Sequence, residues 1–185
     1  MPAKLSANKL NPVRVAQTIE SAGCFDLQFR RDIKTTRPGN PVYYSWKTQF
    51  IIPLKQEEQD VLQRLCRTLK CGAVHLARNV ARYSVQDIES LQEIIVPFIA
   101  ERIPLQGKKK RDFELWAEAV YILYQNKNSD NTKKGVRGFT RTKWKKKDFK
   151  RLLEILEEMQ PYKARRKTDL KWIQEAHFFA QTLRY

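Results

Sequence analysis

The side chains with chemistry to offer fall into two groups. The first sits on alternating stretches, where Gln28 and Arg30, then Ser45, Lys47 and Gln49, then His75, Arg78, Arg82 and Ser84, occupy the polar positions between apolar neighbours. Arg and Lys pair with guanine, and Gln with adenine, through two hydrogen bonds at once, so two-stranded ribbons carrying these residues suit the edges of bases in a major groove. The second group is cationic. Lys108, Lys109, Lys110 and Arg111 run together before an amphipathic stretch, and Lys143, Lys145, Lys146 and Lys147 are interleaved with Trp144 and Phe149. Such runs neutralise phosphates and release condensed counterions. Two isolated histidines, His75 and His177, supply neither a metal cluster nor an activated nucleophile.

The whole composition agrees with a polyanionic partner. The 185 residues carry 36 Lys and Arg against 20 Asp and Glu, a net charge of +16. The chain has no apolar run of membrane-spanning length and no secretory pattern at Met1-Pro2-Ala3, so no membrane partner is expected. Cys24, Cys66 and Cys71 form an odd set without zinc-like spacing. Reduced thiols packed as small hydrophobes fit an intracellular setting, a bacterial cytoplasm or an organelle.

Positioning these residues requires a helix, two hairpins and covering helices. Asn11 and Pro12 start a helix that ends at Gly23. Phe25, Leu27 and Phe29 alternate with polar residues, and Val42 to Leu54 continues as a longer strand after a turn from Thr36 to Pro41. Val61, Leu62, Leu65 and Leu69 mark a helix closed by Cys71-Gly72, and a second hairpin turns near Arg78-Asn79. Asp87 caps a further helix with Pro97 near its end, and an amphipathic helix is expected from Asp112 to Gln125. The chain divides into a lead-in over 1–10, a core over 11–126, a basic loop over 127–142 and a basic helical extension over 143–185. Its segment 169–185 is a candidate surface for a protein partner, and the sequence holds no internal repeat.

Val15 to Gly23 resembles the nine-residue signature of the LAGLIDADG homing endonucleases, with Cys24-Phe25 as its usual continuation. Phe50 to Leu54, Tyr83 to Val85 followed by Leu91, Ile94 and Ile95, and Pro104 to Trp116 succeed one another as in the single-motif branch of that family. The resemblance implies an α+β fold, an αββαββα core with a curved antiparallel β-sheet saddle, plus extra C-terminal helices. It also implies a homodimer crossing through Val15, Ala16 and Ile19, with Gln17 where the family keeps a small glycine. The DNA-reading face falls on the polar strand residues named above, and Lys109 matches the lysine near the scissile phosphate. The cofactor of an active member is Mg²⁺, held by the eighth signature letter, which here is Ala22. Glu20 matches the other acid of the signature. Alanine has no side-chain oxygen for a hard cation. The expectation is therefore sequence-selective binding of duplex DNA with cleavage lost or crippled. The alternative, from a different class, is non-catalytic binding of structured RNA, as by an intron-splicing cofactor or a ribonucleoprotein component.

Overall fold

The computed structural model describes residues 9–33, 35, 36, 38, 42–128 and 145–159. Of the loop expected over 127–142, Lys127 and Asn128 are instead the last residues of a helix and 129–142 lie outside these residues, as do Lys143, the final helix with its candidate partner surface over 169–185, and most of the turn from Thr36 to Pro41. In chain order the elements are α1 (Pro12–Ala22), β1 (Cys24–Ile33), β2 (Val42–Lys55), a 3-10 turn, α2 (Gln59–Leu69), β3 (Ala73–Ala77), β4 (Val80–Val85), α3 (Ile88–Ser90), a π turn (Leu91–Ile95), α4 (Val96–Arg102), α5 (Gly107–Asn128) and α6 (Lys146–Met159). This is the αββαββα succession, with α5 and α6 following. The four strands form one sheet in the order β1-β2-β4-β3, with β4 antiparallel to both of its neighbours.

The chain divides into two compact units, one of Met1–Asp26 with Thr48–Ala117, the other of Leu27–Lys47 with Glu118–Tyr185. In the first, α1 begins where the Asn11 side chain accepts from the Val13 N–H at 3.0 Å, with Pro12 at the first helical position. It stops at Gly23, whose N–H donates to the Ile19 carbonyl at 2.9 Å; a Cβ there would strike that same carbonyl. Val15 and Ile19 are fully buried in this unit's core, alongside Phe25, Phe50, Ile52, Leu62, Leu65, Tyr83 and Trp116. Phe25 stacks on Phe50 at 5.7 Å and lies 5.2 Å from Trp116. In the second unit Phe29, Trp46 and Phe149 form a cluster, with ring centroids 4.8 to 5.8 Å apart. Arg151 of α6 makes a two-pronged bond at 2.7 Å to each carboxylate oxygen of Glu118.

Four expectations change. Val15 and Ile19 are not available to a second copy, because they face the chain's own core; the outward residues of α1 are Pro12, Val13, Arg14, Gln17, Glu20 and Ser21, with Ala16 half-buried. The basic run does not precede α5 but forms its first turn, since α5 starts at Gly107, and Lys and Arg are good helix formers. Pro97 does not end its helix. The π turn before it bonds the Val96 N–H back to Leu91, and this wider turn carries the chain past a residue that lacks an N–H and crowds the preceding turn. The stop after α2 is not made by Gly72: Lys70 takes the left-handed conformation at φ 58° and its N–H caps Cys66.

Candidate nucleic-acid interface

Strand alternation sorts the side chains. Opposite the buried Phe50, Ile52 and Tyr83, the first unit presents Asp26, Gln49, Arg82, Ser84, Gln86 and His75, with His75 directly across from Arg82. Asp26 and Gln49 are only 6 % and 8 % exposed. Gln49 Nε2 donates to Asp26 Oδ2 at 2.7 Å, while its Oε1 accepts from Arg82 Nη2 at 3.3 Å and Gln86 Nε2 at 3.2 Å. Gln49 is therefore corrected from a base reader to an internal brace, because both ends of its amide are engaged. Ser84, expected to face outward, is likewise buried. His75 and Arg78 are exposed and Arg82 half-buried, and Arg78 takes a left-handed turn conformation at φ 54°.

The second unit holds Gln28 and Arg30 half-buried on β1, with Arg30 Nε donating to Gln28 Oε1 at 3.0 Å, and Lys47 exposed on β2. The side chains of Ser45 and Lys146 lie outside the described residues. Lys145 and Lys147 are exposed at the start of α6, whereas Phe149 is fully buried and anchors the helix rather than offering a stacking surface.

At the C-terminal end of α1 the Lys109 ammonium donates to the main-chain carbonyl of Glu20. Burial lowers the pKa of Lys109, and the nearby Cys24, Glu20 and Asp112 oppose that shift. The carbonyl lies at the negative pole of the helix dipole, a favourable place for a cation. Lys108 and Lys110 are exposed beside it, Lys110 in a loose 3.9 Å pair with Glu114. Of the two signature acid positions at this end of α1, Glu20 carries an exposed carboxylate while its main-chain carbonyl is capped by the Lys109 ammonium, and Ala22 offers only its carbonyl, which accepts from the Cys24 thiol at 3.6 Å. Among the described residues no three His, Cys, Asp or Glu side chains gather where they could hold a metal ion.

The thiols partly depart from expectation. Cys24 is exposed, while Cys66 and Cys71 are half-buried, and all three are free. Burial pushes the Cys71 thiol up, and Tyr83 Oη donates to the Cys71 carbonyl at 2.9 Å. No described helix is long and apolar enough to cross a membrane.

A family model for LAGLIDADG endonucleases matches residues 19–120, more than half of the chain. The chain belongs to the LAGLIDADG endonuclease family. Solved structures of LAGLIDADG proteins share the fold. The homing endonuclease I-TnaI is 18 % identical, with a TM-score of 0.65 over 93 % of this chain and 99 % of its own. The meganuclease I-AabMI, in a structure bound to uncleaved DNA, is 26 % identical with a TM-score of 0.50 over 64 % of this chain and 38 % of its own. I-LtrWI, bound to its target DNA, is 19 % identical with a TM-score of 0.61 over 82 % of this chain and 44 % of its own. The chain thus spans nearly all of I-TnaI but less than half of the other two. No curated protein sequence matches it. Two residues of this LAGLIDADG face escaped the sequence reading: Asp26 and Gln86. Both sit in the right alternation, Asp26 two before Gln28 and Gln86 two after Ser84, but alternation does not reveal that they share a hydrogen-bond partner.

Proposed function

We propose that this chain is a sequence-selective binder of duplex DNA in which metal-dependent cleavage is lost or crippled. The observation that carries the reading is the braced guanidinium on each polar strand face: Arg30 on Gln28 at 3.0 Å, and Arg82 on Gln49 at 3.3 Å. A held guanidinium keeps its remaining donors in a fixed direction, and base-edge recognition in the major groove needs that. A solvated polar face needs no such bracing. The relatives solved with DNA support the same partner. The loss of cleavage is read from Ala22, which has no side-chain oxygen for a hard cation and leaves Glu20 as the one signature acid at the end of α1.

Two copies act together in this reading. The chain spans 38 % and 44 % of the two DNA-bound relatives' chains, so each has length for two such units. The partner meets the outward face of α1, Val13, Ala16 and Gln17, rather than the residues committed to the core.

Selection of bound fragments from a random duplex pool and from total RNA tests the function. The expected result is enrichment of one duplex sequence, with Arg30→Ala and Lys47→Ala weakening its binding more than substitutions of Lys145 to Lys147. Preference for structured RNA, with the sensitivities reversed, would replace this reading with the RNA-binding one. With the selected duplex in hand, Ala22→Asp and Ala22→Glu are each assayed for strand cleavage in Mg²⁺. Gain of cleavage assigns the defect to one side chain. Wild-type cleavage at a rate unchanged by either substitution contradicts the proposed loss.

A further inference from the structure

The Gln49 amide has two possible orientations, and its neighbours permit one. Asp26 presents a carboxylate, which accepts; the Arg82 guanidinium only donates. With Nε2 on Asp26 at 2.7 Å and Oε1 on Arg82 at 3.3 Å, every contact joins a donor to an acceptor. Reversed, the amide would set its NH₂ against the guanidinium and its carbonyl against the carboxylate. Because Gln49 is 8 % exposed and Asp26 6 %, water cannot readily repair such a mismatch.

This choice passes outward. Gln86 Nε2 donates to the same Gln49 oxygen at 3.2 Å, so the carbonyl end of the exposed Gln86 is the end turned away. Arg82 is tied through one N–H of Nη2, and its Nε is buried with no acceptor among the described residues, so the donors it has left for a ligand are on its terminal nitrogens. One side chain therefore shows donors and its neighbour an acceptor. In the major groove, guanine presents two acceptors, O6 and N7, and the paired cytosine presents an N4 donor. The two patterns are complementary.

We infer that Asp26 is a positioning residue for sequence discrimination: through Gln49 it fixes the direction of the Arg82 guanidinium and the hydrogen-bond polarity of Gln86, and with them the G·C pair those two side chains read, without touching DNA itself. The inference rests on the duplex-reading function proposed above.

The test is bind-and-sequence selection from a random duplex pool. Arg82→Lys first identifies the base pair concerned, as the position whose G·C preference falls. Asp26→Ala, which removes the acceptor for Gln49 Nε2, is expected to flatten preference at that same pair by about tenfold or more, with the preferences at the other positions unchanged. The double variant Asp26→Asn, Gln49→Glu exchanges amide and carboxylate. It keeps the donor-to-acceptor order, so it is expected to keep the preference that Asp26→Ala loses. Gln86→Leu, at an exposed position, is expected to weaken the same pair, and it carries the test if Asp26→Ala alone does not fold. Unchanged preference in Asp26→Ala or Gln86→Leu, flattening of all positions together, or loss of the preference in the exchanged double variant would overturn the inference. A wild-type protein that selects no duplex sequence overturns the function beneath it, a distinct result visible before any variant is made.

Discussion

Ile19 and Val13 are both apolar and lie on one short helix, yet the fold treats them oppositely. Ile19 is fully buried and Val13 is 63 % exposed. Truncating a buried isoleucine removes transfer free energy and leaves a cavity, so Ile19→Ala is expected to cost about 2–5 kcal/mol in urea unfolding. Val13→Ser should leave stability within about 0.5 kcal/mol, as surface changes usually do. If two copies meet across the outward face of α1, the same Val13→Ser weakens self-association in sedimentation. A dimer indifferent to Val13→Ser would place the contact elsewhere.

At the level of elements, two tight spots set how the helices end and attach. Gly72 has φ 79°, and a Cβ there would lie 2.8 Å from the Ser84 carbonyl oxygen, the Tyr83 ring and the Val85 side chain. Gly72→Ala is expected to lower stability by about 1–3 kcal/mol, from the unfavourable φ as well as the clash. Lys70 holds a left-handed conformation that costs a non-glycine residue roughly 1 kcal/mol, so Lys70→Gly should raise the melting temperature slightly. The junction of α6 with α5 behaves differently, through charge. Its hydrogen bond with Arg151 holds the Glu118 carboxyl below its ordinary range, against the opposing pull of desolvation. A depressed folded pKa contributes stability that is present above the unfolded value, about 4.3, and lost as pH falls through the folded one. The wild type should therefore lose thermal stability on acidification below about pH 4, and Arg151→Met should show a smaller loss over the same window. Parallel pH profiles for the two would remove the assigned role of the pair. Glu154 and Glu158 also bond Arg151, at 3.4 and 3.2 Å, so Glu118→Gln alone should abolish only part of the effect.

For the molecule as a whole, the net charge of +16 makes affinity for DNA depend on salt. Each phosphate neutralised contributes a slope of about −0.9 in log K against log salt, so several contacts give a slope of roughly −4 or steeper. Fluorescence anisotropy at rising salt measures it; a slope near zero would deny the cationic surface its part. The family and the order of elements could be read from the sequence, because caps, alternation and the succession of motifs are local. Asn11, Gly23 and Asp87 act at α1 and α3 through neighbours a few residues away. The polar positions of β1 and β4 were legible for the same reason. What the chain's own order could not settle is which apolar residues of α1 face inward, since an amphipathic helix has the same period whichever body it packs against. Nor could it tell that Gln49 is spent on Asp26, Arg82 and Gln86, partners 23, 33 and 37 residues away. Side-chain identity by itself determined the strongly basic composition, the amide and cationic groups at alternating strand positions, and alanine at position 22. Only the tertiary structure decided which of those groups are braced, buried or presented, because hydrogen-bond commitment depends on neighbours that strand pairing, not sequence proximity, brings together.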